Sequence, residues 1–226
     1  MKNHKYSGAD NGLLYKYFYN PVATKLVEYL PETVAPNTLT VLGLLGTVIP
    51  FGILLGVCGC TLCGDVPAWF FFIHAITYFV YRMLDEMDGK QARRTGNSSA
   101  LGLLFDHGCD CFAIGMQCIM ICKEHQVGEN PIIMANLIGC YLCFHFTTLE
   151  EYYLGTLVLP MFNAVSDGSL LVIVVLVFTG SIGNDFWAVP ACDGTWLKIS
   201  TITMLNRGQV AGIVIFAMCC VSIFVK

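Results

Sequence analysis

Six long apolar segments constrain the fold of this chain more than any other feature of its sequence. Each is close to the ~20 residues that an α-helix needs to cross a bilayer. Charged residues make up only 12% of the chain, about half of their usual share in water-soluble domains. The sequence therefore predicts an all-α integral membrane protein with six transmembrane helices. The predicted spans are residues 39–58, 67–84, 103–122, 132–149, 169–187 and 208–225.

The chain is expected to form a single transmembrane domain, residues 1–226, because no internal repeat and no low-complexity linker divides it. Residues 1–36 are expected to form an N-terminal cytosolic or interfacial segment. Within it, residues 13–30 mix aromatic and basic side chains, which fits either a helix lying in the membrane interface or an ordinary packing helix. Pro36 is expected to begin the first spanning helix. Residues 1–20 lack the apolar core of a signal peptide.

The distribution of lysine and arginine predicts the orientation of the helices. Cytosolic loops of membrane proteins carry an excess of these residues. With both termini in the cytosol, most of the 12 basic residues lie on that side, and the charged stretch 85–110 faces the cytosol. The cytosolic set is Lys2, Lys5, Lys16, Lys25, Arg82, Lys90, Arg93, Arg94 and Lys226, against Lys123, Lys198 and Arg207 on the other side.

Residues 85–110, "DEMDGKQARRTGNSSALGLLFDHGCD", concentrate charge between two apolar segments. Asp85 and Asp88 are spaced i, i+3, and Asp106 and Asp110 are spaced i, i+4, so each pair lies on one helix face. Four carboxylates brought together repel one another unless a cation lies between them. Oxygen ligands of this kind favour Mg²⁺ or Mn²⁺. Two such ions ~4 Å apart form a clamp for a displacement at phosphorus.

Neighbouring residues fit the same chemistry. The planar fork of Arg93 can bind two phosphate oxygens. Gly89 and Gly102 lack side chains, so a ligand or a helix can approach closely. His107 is of the residue type that accepts a proton near neutral pH, although a structural role fits it equally well. The basic residues, taken alone, would indicate only topology.

The spacing of these residues resembles the signature of the CDP-alcohol phosphotransferase family. The matching pattern is Asp85-x2-Asp88-Gly89-x2-Ala92-Arg93-x8-Gly102-x3-Asp106-x3-Asp110. The strings "DGKQARRT" and "LFDHGCD" are similar to those of the eukaryotic choline and ethanolamine phosphotransferases. So are "APNTLTVLG" at 35–43 and "EEYYLGTLVLP" at 150–160.

The resemblance implies a six-helix core that holds two metal ions and a CDP-alcohol at its cytosolic side. His107 would be the general base, and Asp167 would orient it, at the position where the family commonly has a glutamate. The other implied site residues are the metal ligands Asp85, Asp88, Asp106 and Asp110, and the nucleotide-binding residues Asn37, Gly89, Ala92, Arg93 and Gly102.

The implied reaction transfers phosphoethanolamine or phosphocholine from CDP-ethanolamine or CDP-choline to diacylglycerol, with release of CMP. Glu86, Tyr81 and Tyr152 are candidates for facing the cationic headgroup. The implied surroundings are the lipids of the endoplasmic reticulum or Golgi membrane. Relatives usually have about ten spans, some of them used in homodimer contacts, so this chain is expected to be a fragment, a truncated product or a compact variant.

Other functions remain open at this point. Within the family, the acceptor could be inositol, serine or glycerol 3-phosphate, but those branches generally lack the histidine of "DHGCD". Outside this chemistry, the aspartates could serve a transporter, or a catalytically inactive protein that binds a cation or nucleotide. No nucleic-acid partner is expected, because the net charge is only −4.

Overall fold

The computed structural model describes residues 8–159, 163, 166–191 and 205–224. It is all-helical, as predicted, with one short pair of parallel strands in addition. The chain runs β1 (Gly8–Asp10), a π-helical turn (Tyr15–Tyr19), α1 (Asn20–Tyr29), α2 (Pro36–Cys58), α3 (Ala68–Arg94), α4 (Ala100–Glu124), α5 (Pro131–Leu154), β2 (Leu157–Leu159), α6 (Ser166–Ile182), α7 (Asp185–Ala188) and α8 (Arg207–Phe224).

Local sequence sets most helix ends. Pro36 and Pro131 occupy the first turns of α2 and α5. A backbone N–H in the first turn has no partner within the helix, so proline loses no hydrogen bond there. The side chain of Ser99 caps α4 by accepting from the Gly102 N–H at 3.0 Å. Gly155 ends α5 in the left-handed conformation, with φ of 68°. The start of the first long helix at Pro36 is therefore confirmed.

One predicted span is divided in the structure. Residues 169–187 were expected to form one helix, but α6 ends at Ile182. Gly183 follows with φ of 89°, a backbone conformation that favours glycine, and α7 is a separate short turn of helix. The chain reverses there because the glycine breaks the helical path.

Helix α3 lies at the centre of the bundle and packs against α1, α2 and α6. One apolar core joins α2, α3, α4 and α6 through Leu54, Phe70, Phe71, Met120 and Leu176. A second core packs the N-terminal helix on α2 and α3, and it consists of Tyr19, Ala23, Val27, Leu39, Met83 and Met87.

Close helix packing rests on glycine at one contact. A β-carbon at Gly46 of α2 would lie 3.2 Å from the Thr77 carbonyl oxygen of α3. Small residues of this kind let two helix backbones approach, which is a common device where lipid removes the usual hydrophobic driving force. The contact brings the middle of α2 close to the middle of α3.

Two helices of the described part are long and apolar enough to cross a membrane, Pro36–Cys58 and Pro131–Leu154. The apolar helices Ser166–Ile182 and Arg207–Val221 are shorter. Helix length and composition therefore do not confirm six spans. The outward faces of several helices are nevertheless apolar: Leu42, Ile49, Ile138, Val174 and Met218 are all exposed. An apolar exterior of this extent fits contact with lipid.

Candidate active site

A cavity of about 630 Å³ lies where four helices meet near one end of the bundle. Its walls come from the start of α2, the last turns of α3, the first turns of α4 and the last turns of α5. Asp10 and Tyr15 from the N-terminal segment close a further side. The predicted stretch 85–110 thus forms two walls of one cavity.

Three of the four predicted metal ligands form one group. Asp85, Asp88 and Asp106 each offer a carboxylate oxygen, and these oxygens all lie within 4.8 Å of one another. Thr40 donates a hydrogen bond to Asp88 Oδ2 at 2.5 Å. Asp106 Oδ1 is buried and has no hydrogen-bond partner among the described residues.

This group fits a divalent cation. Carboxylates held so close together repel one another, and a cation between them turns that repulsion into attraction. All the donors are hard oxygens, as Mg²⁺ and Mn²⁺ prefer. The buried and unpartnered Asp106 Oδ1 supplies an acceptor that no protein donor uses. The three residues can therefore hold a metal ion.

Asp110 lines the same cavity but lies outside the close group of three. Its Oδ1 accepts a hydrogen bond from the Tyr81 hydroxyl at 2.7 Å. Arg82 lies behind the acidic group, where it pairs with Asp85 and with Glu86, the latter at 3.2 Å. The arginine offsets part of the negative charge that the aspartates concentrate.

All five predicted substrate-binding positions line the cavity: Asn37, Gly89, Ala92, Arg93 and Gly102. Two of them, Gly89 and Gly102, expose backbone atoms at the surface of the cavity. A β-carbon at Gly102 would lie 3.2 Å from Ser99 Oγ and 3.7 Å from Asn37 Oδ1. At Gly89 the nearest atom is Arg93 Nη1, at 3.5 Å. Glycine therefore keeps the wall open beside Arg93 and Asn37.

His107 also lines the cavity, and its carboxylate partner is Glu151 of α5. Nε2 of His107 lies 3.8 Å from Glu151 Oε2. The ring of Phe144 meets the imidazole edge-on, with centroids 6.0 Å apart. Glu151 was not predicted from the sequence, although it lies in the "EEYYLGTLVLP" stretch. The short loop between α4 and α5 makes them antiparallel neighbours and brings the end of α5 near the start of α4, but it does not show which side chain of α5 faces His107.

Asp167, which was predicted to orient His107, contacts other residues in the structure. Its Oδ1 accepts from the Leu14 N–H at 3.2 Å, and its Oδ2 accepts from the Asn163 N–H at 3.3 Å. Asp167 thus ties the start of α6 to the N-terminal segment. The cause is the path of the chain after α5, which β2 directs alongside β1 (Gly8 opposite Leu157).

Of the three headgroup candidates, only Glu86 lines the cavity. Tyr81 is buried, and its hydroxyl is engaged by Asp110. Tyr152 is 80% exposed on the outside of the bundle. The structure adds Tyr15, which lines the cavity and whose pKa is raised by burial and then by Glu86 and Asp10. In the sequence, Tyr15 was distinguished only by its place in the aromatic segment 13–30.

Comparison with known proteins gives consistent results. The sequence profile of the family described as CDP-alcohol phosphatidyltransferase matches residues 33–179. Choline/ethanolaminephosphotransferase 2 of Arabidopsis thaliana is 33% identical over 96% of this chain and 55% of its own length. Cholinephosphotransferase 1 of Danio rerio is 37% identical over 83% of this chain and 48% of its own length. An uncharacterised CDP-alcohol phosphatidyltransferase class-I family protein of Dictyostelium discoideum is 35% identical over 83% of this chain and 47% of its own length.

The chain spans about half the length of these relatives. The profile match covers more than half of this chain, and it includes α2, α3, α4, α5 and most of α6. The aspartates, the glycines and Arg93 that line the cavity all lie inside the matched region. The chain therefore belongs to the CDP-alcohol phosphotransferase family.

Proposed function

We propose that this protein transfers phosphoethanolamine or phosphocholine from CDP-ethanolamine or CDP-choline to diacylglycerol. The products are phosphatidylethanolamine or phosphatidylcholine, and CMP. The observation that carries the proposal is the close group of Asp85, Asp88 and Asp106, in one cavity with His107. The names of the Arabidopsis and Danio relatives supply the donor class.

The four aspartates are proposed to hold two Mg²⁺ or Mn²⁺ ions. Bound there, the ions would neutralise the diphosphate of the donor and stabilise the charge that develops on CMP. Asp85, Asp88 and Asp106 would provide ligands from the close group, and Asp110, whose carboxylate Tyr81 holds, would be the fourth ligand. Arg93 would bind diphosphate oxygens, and Asn37, Gly89, Ala92 and Gly102 would bound the nucleotide.

His107 is proposed to take the proton of the diacylglycerol hydroxyl. The freed oxygen forms a bond to the β-phosphorus, and the bond from that phosphorus to CMP breaks. Glu151 lies on the Nε2 side of the ring at 3.8 Å, so a small approach of the two side chains would let Nε2–H donate to Glu151 and would leave Nδ1 as the basic nitrogen. Glu151 would also stabilise the imidazolium that forms. In this proposal Glu151 replaces Asp167 as the positioning residue.

The proposal extends to the arrangement of the protein in the membrane. Six helices, α2 to α6 and α8, would cross the membrane as a single domain over residues 1–226, with the N-terminal segment at the interface. The cavity would face the cytosol at the endoplasmic reticulum or Golgi, where a water-soluble donor meets a lipid acceptor. A homodimer is proposed as the assembly. The apolar exposed faces of α2, α5, α6 and α8 support a membrane setting.

The decisive experiment measures phospholipid formation from radiolabelled CDP-ethanolamine and CDP-choline with diacylglycerol in vesicles. Wild-type protein is expected to form product only with Mg²⁺ or Mn²⁺. His107→Ala and Asp110→Ala are expected to lose activity by at least ~100-fold. Glu129→Gln, at an exposed residue outside the cavity, is the matched control. A folded wild type that binds the donor but forms no product would show an inactive nucleotide-binding protein instead.

Metal binding can be tested without turnover. Mg²⁺ is expected to raise the melting temperature of the wild type, because it relieves repulsion among the aspartates. Asp106→Asn should gain little from Mg²⁺, and in EDTA it should melt no lower than the wild type, since the substitution removes a source of repulsion among the aspartates. Equal gains from Mg²⁺ in both proteins would show that Asp106 is not a ligand.

A further inference from the structure

Tyr15 and Glu86 form a polar corner of the cavity that the metal chemistry does not use. Both residues line the cavity. The Nζ of Lys90 lies 5.5 Å from the centroid of the Tyr15 ring and 3.5 Å from Glu86 Oε2. An aromatic face and a carboxylate therefore already share one alkylammonium group, and this combination is what a substrate ammonium requires.

The N-terminal segment holds Tyr15 in this place by several contacts. Asp167 accepts the N–H of Leu14, the residue before Tyr15. Asp10 accepts from the Gly12 N–H at 2.7 Å and from Asn163 Nδ2 at 2.9 Å. Tyr15 then begins a π-helical turn, a local widening of the helix that is frequent at functional sites. The ring is thus a fixed wall of the cavity.

The position of Glu86 suits the headgroup end of the donor. Arg82 pairs with both Asp85 and Glu86, and both carboxylates line the cavity, so Glu86 lies near the acidic group that would hold the diphosphate. In a CDP-alcohol, a short two-carbon spacer separates the ammonium from the β-phosphate. A donor whose diphosphate lies at Asp85 therefore places its ammonium within reach of Glu86 and Tyr15.

We propose that Tyr15 and Glu86 form the ammonium subsite that selects CDP-alcohols with a cationic headgroup. This rests on the proposed function. The Tyr15 ring contributes its face, and the Glu86 carboxylate contributes Oε2, since Arg82 holds Oε1. The ammonium of the donor would take the place that the Lys90 ammonium holds in the structure. Asp167 and Asp10 are positioning residues, because they hold the segment that carries Tyr15.

The test compares two donors that differ only in the ammonium group, CDP-ethanolamine and CDP-ethanol. Their affinities are measured by calorimetry with the full chain in detergent and Mg²⁺. The wild type is expected to bind CDP-ethanolamine about tenfold more tightly. In Tyr15→Leu and Glu86→Gln that preference should fall to less than about threefold, while the affinity for CDP-ethanol stays within about twofold. Tyr15→Phe keeps the ring and should keep the preference.

The matched controls are Tyr29→Leu and Glu32→Gln, whose side chains are exposed and lie outside the cavity. They should leave both affinities unchanged. Equal binding of the two donors by the wild type would overturn the subsite. An equal loss for both donors in Tyr15→Leu would also overturn it, since the ring would then support the cavity as a whole. Because binding needs no turnover, a preserved preference without product would refute the proposed function alone.

Discussion

At the scale of single residues, the site depends on which carboxylate meets which partner. Glu151 approaches His107, whereas Asp167 binds backbone N–H groups near Tyr15. Both are acidic and both lie at one end of an apolar helix, Glu151 in the last turn of α5 and Asp167 in the first turn of α6, so their chemistry in the sequence is the same. Their contacts in the fold differ: Glu151 lies beside the imidazole, and Asp167 binds the N-terminal segment.

These assignments predict different kinetic effects for two similar substitutions. Glu151→Gln should lower kcat by roughly 10- to 100-fold, a part of the ~10²–10⁴ that a general base contributes, with little change in the KM for the CDP-alcohol. Asp167→Asn should raise that KM and leave kcat nearly unchanged, because it loosens the segment that holds Tyr15. Steady-state transfer assays give both constants.

Glu151→Asp should recover part of the activity, which a packing defect would not allow. If Asp167→Asn instead lowered kcat as much as Glu151→Gln does, the original expectation for Asp167 would stand. Both variants must melt within a few degrees of the wild type for the comparison to hold.

At the scale of helices, a buried polar chain joins α2, α3 and α4 away from the cavity. His74 binds Glu124 through Nδ1 and Gln117 through Nε2, both at 2.7 Å. Gln117 in turn donates to Thr47 at 3.3 Å. His74, Glu124 and Thr47 are completely buried. Because these buried groups are shielded from water, their mutual hydrogen bonds hold the three helices in one register.

Breaking this chain should destabilise the bundle strongly. His74→Ala leaves the Glu124 carboxylate buried without its partner, which should cost about 3–5 kcal/mol of unfolding free energy. The double variant His74→Leu with Glu124→Leu should lose much less, because no buried charge is left alone. Unfolding of the purified protein in detergent by a denaturant series measures both.

The control for this prediction is His145→Ala at an exposed position, which should change stability by less than about 0.5 kcal/mol. Strictly additive effects of His74 and Glu124 substitutions in a double-mutant cycle would show that the two side chains do not interact.

At the scale of the whole molecule, α3 separates two groups of loops. Its 27 residues span ~40 Å, enough to cross the ~30 Å hydrocarbon layer. At the N-terminal end of α3, the loop after α2 contacts the loop after α4: Gln126 Nε2 donates to the Gly64 carbonyl at 3.0 Å. At the C-terminal end of α3 is the turn that precedes α4, and this turn lines the cavity.

If α3 crosses the membrane as proposed, its two ends should react on opposite sides. Cys60 and Cys63, both exposed, lie at one end, and a cysteine placed at Asn97 lies at the other. In sealed vesicles with the cytosolic face inside, a membrane-impermeant maleimide should label Cys60 and Cys63. Asn97→Cys, in a variant with Cys60 and Cys63 changed to serine, should be labelled only after permeabilisation. Labelling of both ends from one side would refute the crossing of α3.

Much of the site was predictable because its residues lie close together in sequence. Asp85 and Asp88 share a helix face, as Asp106 and Asp110 do, and the short turn between α3 and α4 brings the pairs together. The helix spacing, together with the family resemblance, was enough to predict the aspartates, Arg93 and the glycines. Glu151 and Tyr15 lie on other elements, and their approach depends on long-range packing that a single sequence does not encode visibly.

By itself, the sequence determined an all-helical chain of apolar segments, the start of α2 at Pro36, and an acidic group placed at the junction of two helices. These features follow from hydropathy, proline geometry and helix periodicity, all of which act locally. Only the tertiary structure decided that Glu151 meets His107, that Asp167 anchors the N-terminal segment, and that Tyr15 and Glu86 line one cavity beside Lys90. Those contacts arise because α3 gathers distant segments around one cavity, where burial and charge act between residues far apart in the chain.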